Sequence, residues 1–109
     1  MIDSKKINEI ATGIASRFNP DRIILFGSYA NGTQKEGSDI DLLIIQETDL
    51  PPQKRGFEIR MSLLGLMIPF DILIYTKSEF EREKENRFSF LSSAIKNSKV
   101  LYERTDRRN

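Results

Sequence analysis

Two short apolar runs rich in β-branched residues, Arg22–Phe26 (RIILF) and Asp39–Gln46 (DIDLLIIQ), are joined by a loop that opens on Gly27-Ser28 and carries two more glycines, Gly32 and Gly37. Runs of this length, bounded by glycine, read as buried strands rather than helices. Side chains alternate across a strand, so Asp39 and Asp41 fall on one face and Ile40 and Leu42 on the other, with the two acids about 6.6 Å apart at roughly 3.3 Å per residue. Two like charges at the head of an apolar strand are costly to bury, and a bound cation would offset that cost. Whatever fold the chain takes must leave this acidic strand end beside the glycine turn.

The flanking segments read as scaffold. Asp3–Phe18 carries Ile7, Ile10, Ala11, Ile14, Ala15 and Phe18 at helical spacing, and Asn19-Pro20-Asp21 ends the helix. Ser28 can begin a short helix of about two turns before the Gly32 and Gly37 loop. After a loop holding Pro51-Pro52, a helix is expected from about Gln53 to Met67, burying a stripe of Phe57, Met61, Leu64 and Met67. Phe70–Thr76 (FDILIYT) reads as a third strand opened by Asp71, and Ser78-x-x-Glu81 as a capping box that starts another helix. The charged run Glu79–Arg87 is a solvated face. A second amphipathic segment, Phe88–Ile95, either continues that helix or restarts after a break near Asn86. Val100-Leu101-Tyr102 is a last extended segment, and residues 104–109 read as a flexible tail. The order is α, β, short α, β, α, β, α, β: one α/β (α+β) domain over residues 1–109.

Composition narrows the chemistry. The 109 residues contain no cysteine and no histidine, so thiolate and imidazole ligation are excluded and any metal must accept oxygen donors, as magnesium does. A net charge of +1 supplies no field to recruit nucleic acid. The N-terminus MIDSKKINEI lacks the apolar core of a signal peptide, and no apolar stretch approaches the roughly 18 residues that cross a bilayer. A cytoplasmic protein without membrane or direct nucleic-acid partners is expected.

Asp71 repeats the acid-before-apolar pattern and completes a triad with Asp39 and Asp41 if its strand neighbours theirs. Gly27 lets backbone approach a phosphate closely, while the N–H groups and the Ser28 hydroxyl at a helix start donate to phosphate oxygens. The reaction such parts permit is in-line attack by a hydroxyl on the α-phosphorus of a nucleotide, with two cations sharing the charge.

Gly-Ser, ten residues, D-x-D and a third aspartate opening a later strand resemble the minimal nucleotidyltransferases of the DNA polymerase beta superfamily. The likeness is strongest to those encoded beside HEPN-domain proteins as antitoxins. It covers nearly the whole chain and rests on Gly27, Ser28, Asp39, Asp41 and Asp71. The resemblance implies a nucleotidyltransferase fold with a mixed sheet of about four strands flanked by helices. It implies Asp39, Asp41 and Asp71 as catalytic ligands of two Mg2+ ions, and Gly27 and Ser28 as nucleotide contacts. It also implies transfer of AMP from ATP to a tyrosine of a HEPN ribonuclease toxin, held in a hetero-oligomer. Many relatives carry an arginine near Tyr29 or Asn31, and this chain does not. With no room for further domains, template-directed synthesis is not expected. Two alternatives stand beside the adenylylating antitoxin: an antitoxin that works by occlusion alone, and a transferase for a small hydroxylated molecule. Tyr29 reads as packing or as a base stack, and Phe88 and Phe90 as core or partner-facing.

Overall fold

A computed structural model describes residues 1–105. The first helix, α1 (Ser4–Phe18), starts where the Asp3 carboxylate accepts the Lys6 N–H at 2.9 Å. It stops at Asn19, which takes the left-handed conformation that commonly closes a helix. Ile7, Ile10, Ala11 and Ile14 are its buried residues, as the spacing predicts. Strand β1 (Arg22–Phe26) follows, then a single helical turn, α2 (Ser28–Asn31), half the length expected because Gly32 closes it. Strand β2 (Ile40–Ile45) begins one residue after Asp39.

The four strands, which include β3 (Phe70–Tyr75) and β4 (Lys99–Glu103), form one sheet in the order β3-β2-β1-β4. β1 runs antiparallel to both β2 and β4, with a register shift at Ile23/Ile24, and β2 runs parallel to β3, so the sheet is mixed. The parallel pair needs a crossover, supplied by α3 (Phe57–Leu63) and two flanking 3-10 turns, Pro52–Lys54 and Leu64–Leu66. Alternation then builds two cores. Ile23, Leu25, Leu42, Ile44, Ile72 and Ile74 pack on one face with α1, Ile59 and Leu63. Ile24, Phe26, Leu43 and Ile45 pack on the other with residues of α4 (Lys77–Lys84) and α5 (Phe90–Ala94). Each fully buried aliphatic side chain contributes about 1.5–3 kcal/mol.

Two expectations need correcting. The helix from Gln53 to Met67 is broken, with left-handed residues at Gly56 and Met67 on either side of the helical segment. Its buried residues are Ile59 and Leu63, while Phe57, Met61, Leu64 and Met67 are 67%, 49%, 63% and 89% exposed. At 100° per residue Phe57, Met61 and Leu64 lie opposite Ile59 and Leu63. Burial of Ile59 and Leu63 against the sheet goes with Arg60 facing its edge, where the guanidinium donates to the carbonyls of Ile72, at 2.6 Å, and Arg55. The capping box lies two residues earlier than expected. Thr76 Oγ1 accepts the Glu79 N–H at 3.2 Å and the Glu79 carboxylate accepts the Thr76 N–H at 2.9 Å, because β3 ends at Tyr75 and leaves Thr76 extended.

A new helix does start after the break near Asn86, with Ser89 as its cap. Arg104, in the segment read as a tail, is tied to the chain through bonds to Asp21 and Asn19. The rest of that segment, residues 106–109, lies outside the described residues.

Candidate active site

The parallel ladder sets Asp41 of β2 directly opposite Asp71 of β3. Residues paired this way share a face, and two and four positions on from Asp41 stand Leu43 and Ile45, so both acids belong to the face covered by α4 and α5. Asp39 precedes the first ladder residue, outside the strand in which it was expected. Burial, then the charges of Asp71 and Asp39, push the Asp41 carboxyl up from 3.8 to about 6. Asp71 and Asp39 are thus near enough to Asp41 to repel its charge, which is how crowded carboxylates behave.

On the other side of Asp41 lies the glycine turn. Phe26 is the ladder partner of Asp41, and Gly27 follows it with φ +73° and ψ −156°. Any Cβ on Gly27 would run into the Asp41 carboxylate. The turn and the acid are therefore packed against each other. Ser28 then begins α2, where the first N–H groups bonded back to Gly27 are those of Ala30 and Asn31. The N–H groups of Ser28 and Tyr29 precede them, as the first donors of a helix do. Tyr29 itself is core: it is buried, and its hydroxyl accepts the Ile2 N–H at 3.2 Å.

All five residues singled out in the sequence thus come together at one end of β1, β2 and β3. The donor set suits a hard divalent cation, being carboxylate oxygen throughout, and the repulsion at Asp41 is what such a cation would relieve. Among the described residues no group of three or more acidic side chains stands in an arrangement ready to hold a metal.

The profile of the nucleotidyltransferase domain family matches residues 7–102. This chain belongs to that family. The nucleotidyltransferase is 32% identical over 107 residues to a candidate protein adenylyltransferase, MJ0604, of Methanocaldococcus jannaschii, spanning 94% of this chain and all of that one. Its fold is that of a candidate nucleotidyltransferase from Sulfolobus solfataricus, with a TM-score of 0.54 and 23% identity over 92% of this chain and 79% of the other. It is also that of a toxin-antitoxin structure with AMP-PNP, with a TM-score of 0.62 and 21% identity over 89% and 73%. The mixed four-stranded sheet implied by the resemblance is the one found.

The aromatic pairing on this face is not visible in the sequence. Phe26 is buried beside Asp41, and Phe90 packs on it edge to face at 5.9 Å. The two are 64 residues apart in sequence, and nothing in the local pattern of either points to the other.

Proposed function

We propose that this nucleotidyltransferase transfers AMP from ATP to a tyrosine hydroxyl of a HEPN ribonuclease toxin and acts as its antitoxin. The observation that carries the reading is the registration of Asp41 opposite Asp71, with Gly27 packed on Asp41. Asp39, Asp41 and Asp71 would hold Mg2+, which when bound offsets the negative charge of the triphosphate. Gly27 and Ser28 would receive phosphate oxygens on backbone N–H groups and the serine hydroxyl. The tyrosine oxygen bonds to the α-phosphorus as the bond from that phosphorus to the bridging oxygen breaks, and pyrophosphate leaves. The hydroxyl proton passes to a carboxylate oxygen of Asp71, the exposed acid on the outer strand, where an acceptor carried by another protein can reach it. The name of the Methanocaldococcus relative and the toxin-antitoxin neighbour support a protein acceptor.

The test is incubation with ATP, magnesium and the HEPN protein encoded beside it, read by intact mass. The expected result is a gain of AMP on the partner, with Asp39→Asn/Asp41→Asn slowing it at least about 100-fold at a melting temperature no lower than that of wild type. An unchanged rate in that variant sinks the carboxylate assignment. A wild type that adds nothing, yet binds and silences the partner, makes occlusion the mechanism. Transfer to a small hydroxylated molecule instead would sink the antitoxin reading.

A further inference from the structure

We infer that Phe90 provides the stacking surface for the nucleobase of the bound nucleotide, a step that rests on the nucleotide-transfer reading above. The acidic face of the sheet carries an aromatic pair beside the carboxylates. Phe26 is the ladder partner of Asp41 and is buried, 6% exposed. Phe90, first residue of α5, meets Phe26 with ring centroids 5.9 Å apart and planes at 80°. It nevertheless remains 58% exposed. The core beneath does not need it, because Phe80 and Leu91 close that side at 4% and 0% exposure. An edge-to-face contact occupies only part of a ring and leaves the remainder free.

The place of the ring on the acidic face fits a nucleotide. Asp41 and Phe26 are cross-strand neighbours on one face, with Cβ atoms about 5 Å apart, and Phe90 packs on Phe26 at 5.9 Å, so the open ring is one side chain removed from the acids. In a nucleotide the ribose likewise sets the base apart from the α-phosphate. The other exposed aromatics suit the role less well. Arg87 already lies over the Phe88 ring at 5.0 Å, and Phe57 stands on the helix that packs against the opposite face of the sheet. Tyr29, the residue nearest the turn that could have stacked a base, is consumed by packing. Stacking on a phenyl ring favours any flat base and reads no hydrogen-bond pattern, so the ring contributes affinity rather than choice among bases.

The experiment measures binding of ATP and of inorganic tripolyphosphate, both with magnesium, by calorimetry on wild type and on Phe90→Ala, Phe90→Leu and Phe90→Trp. ATP affinity should fall about 10-fold in the alanine and leucine variants and be retained in the tryptophan variant. Tripolyphosphate affinity should stay the same in all four. Leucine keeps the apolar contact with Phe26, so a loss there is not a folding defect. Unchanged ATP affinity in the alanine and leucine variants overturns the inference and leaves the transfer reading standing. So does a parallel loss for tripolyphosphate, which would mean that the ring shapes the phosphate site. If those variants bind ATP normally but no longer bind the HEPN partner, Phe90 is a protein contact. A wild type that binds neither ligand overturns both the stacking role and the ATP reading beneath it.

Discussion

Gly27 is where the glycine turn and the acidic ladder touch. Its backbone lies in a region open essentially to glycine alone, and a methyl group there collides with Asp41. Gly27→Ala should therefore cost about 2 kcal/mol or more, seen as a lower urea midpoint at unchanged m, together with loss of AMP transfer. Gly13, in the exposed middle of α1, is the control: nothing lies within 4 Å of a Cβ there. Gly13→Ala should stabilise by about 0.5–1 kcal/mol through helix propensity alone. Both residues read simply as glycine in the sequence. That one is strained against a carboxylate and the other merely floppy depends on a contact 14 residues away. The identities of Asp39, Asp41 and Asp71 were legible, because an acid opening an apolar strand stands out in any register.

At the scale of elements, the loop before α3 and the start of α4 are joined to the outer strand by one ion pair, largely buried on its arginine side. Arg55, 7% exposed, donates two hydrogen bonds to Glu79, at 2.6 and 3.0 Å, and others to the carbonyls of Leu50 and Ile74. With Arg60 on the Ile72 carbonyl, it covers the free edge of β3, which would otherwise invite another strand. The Arg55 guanidinium, then the Thr76 backbone N–H, hold the Glu79 carboxyl down from 4.5 to about 2. A carboxyl depressed by folding contributes stability that is fully present above its unfolded value and is lost as pH falls through its folded value. Urea unfolding should thus show a decline between pH 4.5 and about 2 that Glu79→Gln lacks. At pH 7 that substitution should cost about 2 kcal/mol, below the usual loss for a fully buried pair because Glu79 is partly exposed. By spacing alone Glu79 belongs to a solvated face. A charge run shows no partner when the partner lies 24 positions upstream, behind a proline loop.

Across the whole molecule, the sheet commits α3 to one of two apolar faces. Ile59 and Leu63 face the sheet, while Phe57, Met61, Leu64 and Met67 stand outside. Met61→Ser and Leu64→Ser should stay within about 0.5 kcal/mol of wild type, and Leu63→Ala should lose about 2–4 kcal/mol, all by chemical denaturation. Equal losses at Met61 and Leu63 would restore the buried stripe expected from spacing.

Spacing and glycine determined the strands and the leading helix with its stop, and the absence of histidine and cysteine left three strand-opening aspartates as the candidate site, because these follow from neighbours a few residues apart. Only the tertiary structure decided that β3 joins β2 in parallel with Asp71 opposite Asp41, that α3 turns Ile59 inward, and that Phe90 reaches Phe26. Each of those is a competition between alternatives of similar local merit. It is settled by long-range burial and by the hydrogen bonds of a sheet edge, which no local window contains.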